Sequence, residues 1–376
     1  MEFSFTDEQE EFRTVLRRFL ESKSPTTEVR RVMETDEGCD AEVWKQLSEE
    51  LGLPGIHIPE AYGGQGFGFV ELSIILEEMG RSLLCAPYFA STVLAGTAIL
   101  NSASEDQKKD LLPGIASGAT FATLAFTEAN GRWDASGIEM TATPAGDAHT
   151  LSGEKSFVVD GHTAGLIVVV ARAPGTSGSE GLSFFAVDGD ASGLSRQALA
   201  SMDPTRKLAK LTFDATPATL LGNEGAGGPA FELTLAQAAI ALANEMAGGA
   251  ERLLDSAVEY TQMRMQFGRA IGSFQAIKHK LADMLLEVEL AKSAAYGAAQ
   301  AAAEGSDETG ALASLAKAAL SDAYLQTAAN TIQLHGGIGF TWDNDTHLWF
   351  KRAKSSEVLL GDATYHRELL MQRWDV

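Results

Sequence analysis

The sequence predicts an α+β multidomain protein, with an N-terminal helical domain over residues 1–119, a central β-barrel domain over residues 120–226 and a C-terminal four-helix bundle over residues 227–376. Three observations carry this. Apolar residues recur with helical spacing through the first third, short β-rich runs take over at Thr120, and Ala-rich helical sequence resumes after the glycine-rich stretch Gly222-Asn-Glu-Gly-Ala-Gly-Gly228. A chain of 376 residues is also long for one hydrophobic core, so two or three packed units are expected.

The first helix is legible from Thr6 and Gln9, which have capping-box spacing, followed by Phe12, Val15, Leu16, Phe19 and Leu20 on one helical face that must be buried. Helical stretches are predicted at Val43–Leu51, Phe69–Gly80 and Pro87–Leu100, broken by the loop Pro59-Glu-Ala-Tyr-Gly-Gly-Gln-Gly66. The β-rich runs Thr120–Phe126, Ser156–Val159, Leu166–Ala171, Leu182–Val187 and Leu208–Phe213 read as a small barrel or sandwich. Phe231–Arg264 then reads as one very long helix with no proline inside it, and helical sequence continues almost unbroken to about Asn330. Long helices in pairs make bundles, and the Ala- and Gly-rich surfaces predict oligomer contacts as well as a core.

Hydrophobic residues at 45% against charged residues at 21% are the balance of a globular protein. A net charge of −22 with no basic cluster disfavours nucleic acid and anionic membranes as partners. A nucleotide cofactor stays open, because backbone N–H groups and one or two Arg can hold phosphates. Two cysteines, Cys39 and Cys85, make neither a disulfide scaffold nor a C-x-x-C metal site and fit a reducing compartment. The N-terminal sequence lacks a basic start and an apolar run, and no segment approaches the ~20 apolar residues of a membrane span. The expectation is a cytoplasmic protein without a metal. His335, His347 and His366 lack metal-ligand spacing and read as packing or polar contacts.

Four ordered segments carry a stronger signal. They are Pro59–Gly66; Thr127-Glu128 with Asp134; Arg264-Met-Gln-Phe-Gly268 with Ile271-Gly-Ser-Phe-Gln275 and His279-Lys-Leu-Ala-Asp283; and Gln333-Leu-His-Gly-Gly-Ile-Gly-Phe340. Together they resemble the acyl-CoA dehydrogenase family across nearly the whole chain. The resemblance implies FAD bound at a subunit interface. The residues suit that cofactor, because a pyrophosphate needs a guanidinium fork and bare backbone, which Arg264 and Gly336-Gly337 supply. By resemblance Arg264, Phe267 and Gln275 contact the FAD of a neighbouring subunit, Gln333 and Gly337 hold its adenosine diphosphate part, and Ile271, Gly336, Phe126 and Thr127 are further cofactor-binding residues. The alternative for Arg264 is a surface ion pair, and for the glycine pair a helix C-cap or turn.

The family's reaction is α,β-dehydrogenation of an acyl-CoA thioester, in which a carboxylate removes the α-proton. The resemblance puts that carboxylate either just before the glycine of a late loop or on the long helix. Here those positions are Leu360, before Gly361, and Ala238. Ala239 stands where the family usually has Arg, Trp133 where it usually has Ser, and Val159 where a Thr often faces the flavin. Trp133 has the bulk to fill space otherwise open to ligand. Two other carboxylates are candidates for the base. Asp362 lies in the same loop, with an Asx turn or a cap of the terminal helix as its alternative role. Glu245, ~10 Å along the helix from Ala238, is expected to have a raised pKa or a buried partner such as Arg252. Arg206, in Asp203-Pro-Thr-Arg206, matches a further family position and reads as structural.

Three readings follow. In the first, a homo-oligomer dehydrogenates its own acyl-CoA, with electron-transfer flavoprotein as acceptor. In the second, the chain is a non-catalytic subunit that completes the FAD site of a homologous chain, as in mixed tetramers for sterol-derived acyl-CoAs. The third is a flavin monooxygenase or oxidase on the same fold.

Overall fold

The computed structural model describes residues 5–374 apart from residue 147. Six helices come first: α1 (Asp7–Lys23), α2 (Thr26–Met33), α3 (Ala41–Lys45), α4 (Phe69–Ser82), α5 (Thr97–Ser102) and α6 (Glu105–Ala116). Seven strands follow: β1 (Ala122–Ala125), β2 (Thr141–Ala145), β3 (Ala148–Val159), β4 (Leu166–Arg172), β5 (Leu182–Asp188), β6 (Leu194–Leu199) and β7 (Leu208–Leu221). The last part holds α7 (Gly228–Met263), the hairpin β8 (Met265–Gln266) and β9 (Arg269–Ala270), α8 (Gln275–Glu304), α9 (Thr309–His335), α10 (Thr346–Val358) and α11 (Ala363–Arg373). The order is helices, strands, helices, as predicted. The chain divides into two compact units, a helical unit of residues 1–31, 69–84 and 239–376 and a sheet unit of residues 32–68 and 85–238.

In the helical unit α1 begins with the predicted capping box, in which the Thr6 hydroxyl accepts from the Gln9 N–H and the Gln9 side chain accepts from the Thr6 N–H. Leu16 and Leu20 are buried, but Val15 is 50% exposed, against expectation. At 100° per residue Val15 lies roughly 120° around the helix from the midpoint of Leu16 and Leu20, at the edge of the stripe. Helix α4 is buried almost throughout, including Glu77 and Glu78. Arg13 and the Tyr296 hydroxyl satisfy Glu77 at 2.6 and 2.8 Å, and Arg17 holds Glu78 in a two-point fork at 2.7 and 2.9 Å. Burial still pushes the Glu77 carboxyl above the ordinary range, against the pull of Arg13.

Two glycines let α4 and α7 touch backbone to backbone. A Cβ on Gly80 would meet the Glu245 carbonyl oxygen at 1.9 Å, and one on Gly248 would meet the Glu77 carbonyl oxygen at 1.7 Å. The predicted long helix is real: α7 runs for 36 residues, its first turns within the sheet unit. The helical sequence beyond it is less continuous than predicted, because the β8–β9 hairpin and a turn at Gly305 (φ +64) interrupt it.

In the sheet unit the strands form a seven-stranded sheet in the order β1-β4-β2-β3-β7-β5, with β6 on β7 and β4 also paired to β5. The core includes Leu151, Val169, Phe185, Leu211 and Phe213. The predicted strands all appear, and four of them extend well or slightly beyond the apolar run that marked them. Strand β3 starts at Ala148 and β7 continues to Leu221, because antiparallel pairing between them carries the polar residues along. Strands β2 and β6 and helices α2 and α6 escaped the sequence reading. Pro113 inside α6 masks a helix whose start carries a capping box of Ser104 and Gln107. Residues Gln46–Glu50 and Phe89–Gly96, predicted as plain helix, are π-helical.

Candidate functional site

One end of the helical unit gathers the two segments that resemble cofactor-binding sequence. Tyr260, near the end of α7, stacks on His335 at the end of α9 with ring centroids 4.1 Å apart, and its hydroxyl donates to the His335 carbonyl at 3.3 Å. Lys280 on α8 reaches Asn330 on α9 at 2.9 Å. Burial holds the His335 imidazole below its ordinary pKa.

The β8–β9 hairpin turns through Phe267 (φ +52) and Gly268 (φ +79). Positive φ at both turn residues is the geometry of a type I′ turn, which suits the twist of the flanking strands. It leaves the Phe267 ring 90% exposed, with one edge contact to Phe274 at 6.1 Å. Arg269 lies over Phe274 at 4.0 Å. Arg264, at the base of the hairpin, is exposed and its guanidinium has no hydrogen-bond or ion-pair partner among the described residues. The surface ion pair considered from the sequence is therefore not formed. Gln275, the first residue of α8, and Gln333 are likewise exposed. Ile271 is half-buried, and its N–H ties back to the Arg264 carbonyl at 2.9 Å. Gly336 is the C-cap of α9 at φ +65, and neither it nor Gly337 has any atom within 4 Å of where a Cβ would sit.

Uncommitted guanidinium and amide donors beside open glycine backbone are the donor set a pyrophosphate and an adenosine require. This end of the unit fits the adenosine diphosphate part of FAD.

The predicted base positions differ in character. Leu360 is 4% exposed, and Ala238 is fully buried. Asp362 is exposed, and its carboxylate caps α11 by accepting from the Tyr365 N–H at 2.8 Å. Glu245 is buried with a partner, as expected, but the partner is Arg352 on α10 at 2.6 Å and not Arg252. The correction follows from helix geometry, since Arg252 is two turns along α7 from Glu245, and the cation comes instead from a neighbouring helix. Both candidate carboxylates thus already have structural duties.

In the sheet unit Phe126 and Thr127 are buried just past β1. Phe126 meets Trp133 at 6.0 Å and Phe231 at 5.6 Å. Its carbonyl accepts from Lys155 at 3.2 Å, and the Thr127 carbonyl accepts from the Ser156 N–H at 2.8 Å. Val159 is buried, so the position often held by Thr offers no hydroxyl. Asp134 caps a 3₁₀ turn through the Ser136 N–H at 2.8 Å, and Arg206 is buried over the Phe89 ring at 5.3 Å.

Sequence reasoning missed two residues here, Lys155 and Phe157. Lys155 is fully buried against Glu128 at 2.6 Å, and Glu128 also accepts from the Glu139 and Met140 N–H groups at 3.0 Å. Burial pushes the Lys155 ammonium down to about 8, with Glu128 resisting. Phe157 is 49% exposed at φ +55, inside the bulge between Lys155 and Val158. A Lys directly before a β-rich run was the available signal for Lys155. Nothing in a run of apolar residues signals a bulge. His347 sits against Arg30 at 3.3 Å, and among the described residues no group of three His, Cys, Asp or Glu could hold a metal ion.

Comparisons with known proteins identify the family. The acyl-CoA dehydrogenase N-terminal, middle and C-terminal domain families match residues 6–119, 123–216 and 225–374. The chain is 34% identical over 332 residues to acyl-CoA dehydrogenase IpdE2 of Mycobacterium tuberculosis, covering 88% of this chain and 86% of that one. It superposes with a TM-score of 0.93 and 28% identity on butyryl-CoA dehydrogenase from Megasphaera elsdenii, covering all of both chains. It superposes with a TM-score of 0.89 and 32% identity on a steroid ACAD variant, Tcur3481–Tcur3483, covering 98% of each. The chain belongs to the acyl-CoA dehydrogenase family, FAD-dependent oxidoreductases that dehydrogenate acyl-CoA thioesters.

Proposed function

We propose that this chain serves acyl-CoA dehydrogenation as the subunit that completes an FAD site for a homologous chain, and that the homologous chain carries the base. The observation that carries this is the contrast between a free Arg264 and the sealed base positions Leu360 and Ala238. FAD, when bound, supplies the hydride acceptor for the substrate β-carbon. Arg264 would hold its pyrophosphate, Gly336 and Gly337 would admit it close to the backbone, Gln275 and Gln333 would bond its polar edges, and Phe267 would cover an apolar face. Phe126 and Thr127 would line the flavin side in the sheet unit. The two names of the solved steroid ACAD, Tcur3481 and Tcur3483, support an assembly of two kinds of chain and a sterol-derived acyl group.

The rest of the assembly follows the family resemblance. It is a dimer of dimers, with electron-transfer flavoprotein as acceptor, in the cytoplasm, where Cys39 and Cys85, which form no disulfide, fit a reducing medium. The three-part division at residues 119 and 226 is supported by the spans of the three domain families. Pairing of β4 with both β2 and β5 supports reading the sheet as a barrel. No helix among the described residues is long and apolar enough to cross a membrane.

A second reading, a self-sufficient enzyme with Asp362 as base, is favoured by one observation: that carboxylate is exposed in the loop next to Leu360. The two separate on purification. A chain that is colourless alone and yellow with a homologous partner supports the first reading, and a yellow chain bleached anaerobically by acyl-CoA on its own overturns it.

A further inference from the structure

The loop between α10 and α11 is held by side chains from outside it. Lys317, on α9, is fully buried, and its ammonium donates to the Ser321 hydroxyl at 3.0 Å, the Glu357 carbonyl at 3.0 Å and the Gly361 carbonyl at 2.8 Å. Three donors thus meet three acceptors, and two of these are carbonyls at the C-terminal end of α10 and just beyond it, where a cation is favoured by the helix dipole. His366, on α11, is buried and turns Nε2 to the Leu360 carbonyl at 3.0 Å. Burial, with help from Lys317, lowers the His366 imidazole to about 3, so the ring is neutral. A neutral ring next to a carbonyl must carry its proton on Nε2, and Nδ1 then faces the Ser314 hydroxyl at 3.5 Å.

Between these anchors Leu360 adopts φ +64, a left-handed conformation that a residue with a Cβ rarely takes. Gly361 follows at φ +102, where a Cβ would meet the Tyr365 ring at 2.2 Å. A strained residue persists where its surroundings over-determine it. Here the carbonyls of residues 357, 360 and 361 are all bound from α9 or α11.

We propose that Lys317 is a positioning residue for the loop 358–362: it fixes the backbone of the loop, so that residue 360 is presented at one place whatever its side chain. The inference does not depend on which subunit role the chain plays. By resemblance, position 360 is where the family carries its base. The positioning apparatus is therefore present here under an apolar residue.

The test is amide hydrogen exchange on the purified full chain, or on its complex if it purifies as one, in three forms: wild type, Lys317→Met and Leu360→Glu. In Lys317→Met the Gly361 and Tyr365 amides should exchange roughly tenfold faster, the scale of losing hydrogen bonds from a charged donor, while α8 amides such as Val288 are unchanged. The imidazole 15N signals of His366 should at the same time leave the Nε2–H tautomer pattern. In Leu360→Glu the same amides should exchange within about twofold of wild type. Unchanged exchange in Lys317→Met, or acceleration spread equally over α8 and α9, overturns the proposal. If Lys317→Met does not fold, Leu360→Glu decides alone, because loss of loop protection there would mean that Leu360 packing sets the backbone.

Discussion

The two ends of the candidate site in the helical unit are built on opposite principles. At the β8–β9 hairpin the polar and aromatic side chains are exposed, and Arg264 is left without a partner inside the fold. In the loop 358–362 and at Glu245, every side chain that could act on a substrate is either apolar or already bound, Asp362 to the Tyr365 N–H and Glu245 to Arg352. The difference teaches where to look for a ligand. A guanidinium kept free costs little at a surface and gains most from a phosphate, whereas a carboxylate inside an ion pair must break that pair before it can take a proton.

Four experiments bear on this contrast. The largest effect is expected at the sealed end, where Arg352→Met leaves Glu245 buried without its cation and should lower unfolding stability by about 3–5 kcal/mol. A loss under about 1 kcal/mol by denaturant titration would show that the Arg352–Glu245 pair contributes little to the fold. The next concerns pH. Burial lowers His366 to about 3 and His57, in the sheet unit, to about 4. Both rings stay neutral in the fold while the unfolded chain protonates near pH 6.5, so their contribution is full above pH 6.5 and is lost as pH falls toward 4. Each should cost at most about 1.4 kcal/mol per pH unit in that window. Melting curves at pH 7 and 4.5 check this, and His57→Gln should flatten the pH dependence.

At the free end, Arg264→Glu should cut FAD occupancy of the assembled protein at least tenfold, about 1.4 kcal/mol, with the melting temperature of the flavin-free protein nearly unchanged. Absorbance at the flavin band against protein absorbance measures it. Unchanged occupancy would remove Arg264 from the site. The smallest effect belongs to Asp362→Asn, because Asn caps a helix about as well as Asp and stability should move by less than about 0.5 kcal/mol. If the turnover of the assembled enzyme is also unchanged, the base lies in the other chain. A drop of a hundredfold or more would instead make Asp362 the base.

Much of this was legible in the sequence. The helix–strand–helix order, the capping box at Thr6 and Gln9 and the uninterrupted α7 followed from periodicity and local capping. The free state of Arg264 was not, since a motif names a residue without naming its neighbours. Arg352 as the partner of Glu245 lies 107 residues away in sequence, and helical spacing can propose only partners on the same helix. The Lys155–Glu128 pair joins strand β3 to the loop after β1 by burial and not by pattern. The π-helical segments and the Phe157 bulge arise from packing that local propensity does not encode.

The paired glycines of α4 and α7 carry one more consequence. Each removes a methyl group that would strike a carbonyl of the opposite helix, so the two rods can meet at one offset along their lengths and at no other. Gly248 stands about 22 Å, at 1.5 Å per residue, from the end of α7 where the hairpin begins. The position of Arg264, just past that end, is therefore gauged by two absent methyl groups far along the helix from it.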